Sequence, residues 1–467
     1  MQSKTSRFLL TLLIGLVIWF LPVPAGIKPE AWHLLAIFVA TIAGFILQPL
    51  PIGAMAFIAG TITVLTNTLK IGQVLGGFGT AIIWLIVSAC VFARAMGKTG
   101  LGERISYVLM KRFGTSTLKL VYALLIGDMF IAPVMPSNTA RSGGIFYPIL
   151  ISLSKTYESE PGPTAGRIGR YLLNAVFQGD NMITGMYMTG MAANVLMVGF
   201  AKEFAGVEIT WGGWLFASFV PMFIATLFIP YFIYLIDPPE IKQTPEARGI
   251  AEEALQKLGP MSSKEKWLLG ILVCALVLWA TTSITKLNAT TVALAAISAM
   301  LLSGALEWKD VLEEKTGWNT MIWMGVLVGL AGFLNKMGIT AWVSKLIGTS
   351  LSGFSWPMAL FLLVVANVAS HYLFASISSH VSALYGPLLV VAIALGAPPY
   401  LAAFLLIYSC ESMQGLTHYA VGQAPIYFGS NYFTQGEFWK SGLLVAIVSN
   451  AIFLTIGTAW MKIAGLW

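Results

Sequence analysis

Apolar runs of membrane-spanning length follow one another along the chain, separated by short polar stretches. A spanning helix needs about 20 mainly apolar residues, and the pattern predicts about eleven such helices, besides two stretches that read as paired hairpins. The expected fold is an all-α polytopic membrane protein without a soluble domain. The first run, Phe8 to Leu21, follows Lys4 and Arg7 and precedes Pro-Val-Pro-Ala-Gly, the outline of a cleaved signal peptide. It is read as an uncleaved first span with a cytoplasmic N-terminus.

Spans near 32–48, 54–69 and 80–97 then return the chain to a basic stretch with Lys98, Arg104, Lys111 and Arg112, in keeping with the positive-inside bias. The apolar stretch 118–152 is interrupted by Pro133, Pro136 and a polar run, and leads back to Lys155, Arg167 and Arg170. It reads as a re-entrant hairpin entered from the cytoplasm. Helices at 1–97, this hairpin, a broken helix at 171–200 and a helix at 213–236 make a first half, 1–236. Residues 237–266, the only long mixed-charge stretch, read as a cytoplasmic linker. The second half, 267–467, holds a hairpin at 356–391, a broken helix at 398–428 and a last helix at 438–463, which leaves the C-terminus outside.

The halves match. Ile83-Trp84 pairs with Ile322-Trp323, Ser137 with Ser376 and Pro148 with Pro387 at one constant separation. Beyond the hairpins, Thr189 pairs with Thr417 and Trp211 with Trp439 at a shorter one, and the extra loop Lys155 to Gly166 accounts for the change. An odd number of crossings lies between equivalent elements, so the second hairpin enters from the opposite side. The pattern is an inverted-topology repeat, the usual build of a secondary transporter.

Composition agrees: 57% of the 467 residues are hydrophobic and 10% charged, and the mean hydropathy is +0.80. The net charge of +7 would suggest nucleic acid for a soluble chain, but here the basic residues sit in connections between spans, so no nucleic-acid partner is expected. Cys90, Cys274 and Cys410 lie inside apolar runs and read as small buried hydrophobes. No metal site and no cofactor are expected.

The candidate chemistry lies at the hairpin tips. The first reads Pro136-Ser137-Asn138-Thr139-Ala140-Arg141-Ser142, the second Ser376-Ile377-Ser378-Ser379-His380-Val381-Ser382. Non-helical backbone at membrane depth is tolerated only inside protein or along a cavity, so both tips should face a shared interior site. Ser and Asn cap half-helices whose free amides and positive dipole ends suit an anion. Two tips imply two carboxylates, one for each. The candidate substrate-binding residues are Ser137, Asn138, Thr139, Ser376, Ser378 and Ser379, with Thr189, Thr417 and His418 from the Gly- and Pro-rich breaks that follow the hairpins.

Arg141 and His380 occupy equivalent positions, and an ionisable group at membrane depth needs a partner or a wet cavity. Two readings stay open for Arg141: a site residue, or an internal ion pair with Asp128, Asp180 or Glu411. For His380 the alternative is a neutral imidazole bonded within the protein.

Ser137-Asn138-Thr139 in a hairpin, a serine-rich second tip and the duplicated broken helix resemble the divalent anion:sodium symporter family over essentially the whole chain. The run Leu416-Thr417-His418-Tyr419, Gly422, Ala424-Pro425 and Tyr427-Phe428-Gly429 resembles its branch of 2-oxoglutarate/malate translocators. The resemblance implies a homodimer whose protomers have scaffold and transport domains working as an elevator, in a bacterial inner membrane. It implies succinate, malate, fumarate or 2-oxoglutarate as substrates, and sometimes citrate. The second tip departs from the sodium-coupled pattern, because Ile377 stands where a second asparagine is expected. Arg141 and a protonated His380 are therefore expected to supply fixed charge in place of sodium, giving sodium-independent antiport. The alternative is a sodium-coupled dicarboxylate or citrate symporter of the same family. An anion channel is a further rival, and an intramembrane metalloenzyme using His371, His380 or His418 with Glu411 lacks any His-Glu-x-x-His pair.

Overall fold

The computed structural model describes residues 4–350, 353 and 355–467. Residues 1–3 of the expected first half and 351, 352 and 354 of the second lie outside the described residues. Among the described residues there is no strand; the one extended pairing is a bridge between Ser116 and Gln243. Among the described residues, eight helices are long and apolar enough to cross a membrane. Three of these, Thr117–Val134, Trp356–Leu373 and Ile377–Ala394, are hairpin arms. Ile52–Leu65 and Ala289–Leu302 are apolar but shorter, so length alone gives fewer spans than the apolar pattern suggests. Phe57, Leu65, Phe130 and Leu302 stay exposed on the outer surface, where lipid tails cover them at no hydrophobic cost.

The first half opens with Lys4–Phe20, Pro29–Leu47 and Ile52–Leu65. The second pairs Ser263–Ala280 and Ala289–Leu302 against each other. Each half then runs through the same order of elements: a long helix, a short helix, a two-armed hairpin, a helix that breaks, and a closing helix. In the first half these are Ala81–Thr99, Leu101–Phe113, the arms Thr117–Ile131 and Thr139–Thr156, Gly169–Met186 with Ala192–Ala205 after the break, and Trp211–Ile236. In the second they are Lys315–Lys336, Ile339–Ser350, Trp356–Ser370 and Ile377–Ala394, Pro399–Ser412 with Ala424–Phe428 after the break, and Gln435–Ile463.

Local chemistry sets the boundaries. Proline, whose fixed φ and missing N–H suit a first turn, opens Pro29–Leu47, Trp356–Ser370 and Pro399–Ser412. A reciprocal capping box starts Ser263–Ala280, where the Glu265 amide donates to Ser262 Oγ (3.2 Å) and the Ser262 amide to Glu265 Oε2 (2.8 Å). Gly100 ends Ala81–Thr99 with φ 77°, a left-handed turn that glycine adopts without strain.

Residues 237–266, expected as a linker, are not irregular throughout. They hold the helix Glu246–Leu258, which packs on Leu101–Phe113. Arg104 donates to Glu265 (2.6 Å) and to the Gly259 carbonyl (2.9 Å), and Lys111 pairs with Glu252 (3.4 Å). Arg248 and Lys111 together hold the Glu252 carboxyl below its ordinary range. A further difference is Cys274, which is exposed on Ser263–Ala280, whereas Cys90 and Cys410 are buried. An apolar run in a membrane protein faces lipid as readily as protein, so apolar surroundings in sequence do not imply burial.

Candidate functional site

Both hairpins turn through a short 3-10 segment, Ala132–Val134 or His371–Leu373, and both outgoing arms carry a π-helical stretch, Thr139–Phe146 at the start of the first and Val381–Tyr385 after one α turn, Ile377–His380, of the second. Single π turns inside α-helices recur at functional sites, because they re-aim side chains and free backbone groups. The unwound residues 413–423 connect the two tips. From the first tip, Asn138 Nδ2 donates to Gln414 Oε1 (2.6 Å) and Thr139 Oγ1 lies 3.5 Å from Gln423 Oε1. From the second hairpin, His371 Nε2 meets the Ala420 carbonyl (3.2 Å), and Tyr419 Oη donates to the Tyr372 carbonyl (2.9 Å).

At the first tip Arg141 is fully buried, and every one of its five N–H donors has an acceptor. Nε donates to Asp128 (2.8 Å), Nη1 to the carbonyls of Met135 (2.7 Å) and Gly190 (2.9 Å), and Nη2 to Asp180 (3.1 Å) and Thr184 Oγ1 (2.8 Å). Of the two readings, the internal ion pair is the one observed, with Asp128 and Asp180 as partners. Glu411 is not among them; its carboxylate accepts from Gln414 Nε2 (2.6 Å). The expectation that Arg141 offers uncompensated positive charge to a substrate is therefore corrected. Two aspartates already neutralise the guanidinium, and no donor is left over.

The other candidates divide by what their polar atoms touch. Ser137 Oγ accepts from the Ala140 amide (3.2 Å) and lines a cavity of about 590 Å³, shared with Met135, Ala140, Arg94, Lys98 and Asp310. Burial favours the neutral acid at Asp310, but hydrogen bonds from Lys98 and the Glu307 amide, and the nearby Arg94, hold its carboxyl below the usual range. Ser376 and Ser378 are half-buried, and their hydroxyls make no hydrogen bond among the described residues. The first amides of the second outgoing arm also lack a side-chain cap. These are the groups still available to an anion.

Ser379 turns the other way, donating to the Phe45 carbonyl (3.2 Å) of Pro29–Leu47. A helical step of about 100° separates it from Ser378, so the two serines do not share a face. Thr189 donates to the Pro133 carbonyl (2.5 Å) and accepts from Trp211 Nε1 (3.1 Å), which ties the first break to the first turn. His418 accepts from Trp439 Nε1 (3.1 Å) and stacks on Phe428 at 4.6 Å. Thr417 is buried with an unpartnered hydroxyl.

Sequence reasoning assigned no role to Gln414 or Gln423. Gln414 bridges Asn138 and Glu411, while Gln423 Nε2 donates to Asp180 (3.3 Å) and Asn181 (3.1 Å). The signal available was two glutamines flanking the break in a segment otherwise built to be apolar.

Residues 2–467 match the family described as sodium:sulfate symporter transmembrane region. YflS of Bacillus subtilis (strain 168), whose name proposes malate transport, is 46% identical over 99% of this chain and 97% of its own length. The chloroplastic dicarboxylate transporter 1 of Spinacia oleracea is 40% identical over 100% of this chain and 82% of its own. The crystal structure of the YdaH transporter of Alcanivorax borkumensis covers 99% of this chain and 98% of its own with a TM-score of 0.57 and 13% identity, a likeness of fold alone.

Proposed function

From the chain's membership of the sodium:sulfate symporter transmembrane family, a family of integral membrane transporters and not of enzymes, we propose that it exchanges small dicarboxylates across the bacterial inner membrane. In this reading 2-oxoglutarate, malate, succinate and fumarate are the substrates. The two halves form an inverted repeat with re-entrant hairpins, and the protein works as a homodimer whose transport domain moves as an elevator. The N-terminus is cytoplasmic and the C-terminus outside.

One observation carries the reading: two hairpin tips, bearing Ser137, Asn138 and Thr139 on one side and Ser376 and Ser378 on the other, reach the same unwound segment, 413–423. Free hydroxyls and uncapped amides at the second tip bind carboxylate oxygens, and at the first the Ser137 hydroxyl, which accepts from the Ala140 amide and keeps its own hydrogen to donate, lines a cavity; donors at both tips suit a molecule with a carboxylate at each end. The similarity to the spinach transporter supports the substrate class.

The coupling mode follows from Arg141. Carbonyls of unwound backbone and of half-helix C-terminal ends coordinate sodium in transporters built this way. Here the Met135 and Gly190 carbonyls, Asp128, Asp180 and Thr184 all point at a guanidinium instead. A covalently fixed cation in that place supports sodium-independent antiport. The rival, sodium-coupled symport, draws on Asn138, whose amide nitrogen is already committed to Gln414 and whose oxygen accepts from the Thr139 amide (3.1 Å).

The test is competition in proteoliposomes loaded with malate. Uptake of labelled succinate should be displaced by unlabelled 2-oxoglutarate and fumarate, and not by sulfate or by monocarboxylates. Displacement by sulfate alone would assign the site to an inorganic dianion.

A further inference from the structure

Within the second hairpin, two imidazoles meet nitrogen to nitrogen. His371 and His380 are both fully buried, their rings stack 4.9 Å apart at 21°, and Nδ1 of one lies 2.8 Å from Nδ1 of the other. Two neutral lone pairs do not sit at that distance, so one hydrogen lies between them.

The outer nitrogens are decided by what they face. His371 Nε2 faces the Ala420 carbonyl at 3.2 Å, which only accepts, so this nitrogen carries hydrogen. His380 Nε2 faces Asn367 Oδ1 at 3.0 Å and Ser370 Oγ at 3.4 Å. The Ser370 hydroxyl is spent on the Asn367 carbonyl (2.8 Å) and is left as an acceptor. The Asn367 amide is oriented by Ser409: that hydroxyl donates to the Leu406 carbonyl (2.8 Å) and so accepts from Asn367 Nδ2 (2.8 Å). Both neighbours of His380 Nε2 are therefore acceptors, and this nitrogen also carries hydrogen. The pair needs three hydrogens on four nitrogens, one more than two neutral imidazoles hold.

We propose that His371 and His380 bind one excess proton between them, a proton site that gives the second tip its fixed positive charge. The proton comes from water, and the charge belongs to the pair and not to either ring. Removing it either opposes two lone pairs or breaks an outer bond, to Ala420 of the unwound segment or to Asn367 of the incoming arm. The proton thus also fastens the hairpin to residues 413–423, the segment that holds the first tip.

Other ionisable groups on the packed elements do not supply this role. Cys410 meets Asn367 Nδ2 at 3.5 Å and Glu411 is held by Gln414. On the remaining neighbours, Lys202 pairs with Glu208 (3.0 Å) and His33 stacks on Trp19 (3.8 Å). No hydrogen bond joins Glu30, Glu203, Tyr372 or Tyr385 to either ring. The use made of the charge rests on the proposed dicarboxylate exchange; the existence of the proton does not. If exchange is the function, a bound dianion favours the protonated pair, so transport is full at lower pH and falls as pH rises through the pair's titration.

The experiment is nitrogen-15 NMR of the full chain in lipid, labelled at its four histidines, from pH 6 to pH 9, beside the pH profile of succinate exchange. Two coupled rings carrying three N–H groups at pH 7 are expected. Asn367→Leu, which removes the outer acceptor, should return the pair to one hydrogen per ring at pH 7. Asn367→Asp should carry the titration upward by about one unit or more, and the exchange profile should move with it. Two neutral rings in the wild-type protein at pH 7 overturn the proton site whether or not either variant folds. Three N–H groups in a protein that exchanges no dicarboxylate at any pH support the proton site and refute the transport reading.

Discussion

The two hairpin tips have matching positions and opposite chemistry. At the first, a buried guanidinium uses all five donors on groups of its own protein, and Asn138 and Thr139 are drawn into bonds or contact with Gln414 and Gln423. At the second, Ser376 and Ser378 keep their hydroxyls unpaired among the described residues and two imidazoles meet nitrogen to nitrogen. One tip spends most of its polar groups within the protein, and the other keeps two hydroxyls unpaired among the described residues. Matching positions in the two halves therefore need not make matching contacts; under the proposed exchange, the first tip fixes the frame and the second supplies most of the affinity.

The largest effect that breaks the comparison should come from the first tip. Arg141→Met strands two buried aspartates, and removing one partner of a buried ion pair costs about 3–5 kcal/mol. Folded yield and melting temperature in detergent should drop together with exchange. Arg141→Lys should fare nearly as badly, since an ammonium has three donors for five acceptors. A wild-type melting temperature in Arg141→Met would remove the first tip's structural role.

A smaller and more selective effect is expected at the second tip. The double variant Ser376→Ala, Ser378→Ala removes hydroxyls that make no hydrogen bond among the described residues, so the melting temperature should hold. Loss of a hydrogen bond to a charged ligand is worth about 1.5–3 kcal/mol, which predicts a rise in KM of about tenfold or more. A KM unchanged within twofold would remove these serines from the site. Smaller still is Ser379→Ala, which forfeits one bond to the Phe45 carbonyl; a stability loss of about 1 kcal/mol with KM unchanged is expected. Placed side by side, the serine variants separate binding from packing within one short segment.

These contrasts also mark what the sequence makes legible. Helices, breaks and tips follow from apolar runs, from Pro133 and Pro136, and from polar residues crowded where lipid depth was expected, all of which are local signals. The fate of Arg141 is not local: its carboxylate partners Asp128 and Asp180 lie 13 and 39 residues away along the chain, in two different helices. Naming them as candidates was possible, while choosing between an ion pair and a ligand site required geometry. Ser379 was misplaced with its neighbours because a serine-rich run shows no face until the helical phase is known. The His371–His380 contact spans a turn, and the role of His371 emerges only when Ala420 is brought beside it.

The central claim is exchange without sodium. It is tested most directly by succinate uptake into proteoliposomes in which internal dicarboxylate and an inward sodium gradient are each present or absent independently. The account predicts uptake whenever internal dicarboxylate is present, at a rate that ignores sodium, and none into empty vesicles. Uptake into empty vesicles driven by the sodium gradient would contradict it, and would mean that the guanidinium of Arg141 does not stand in for the coupling ion.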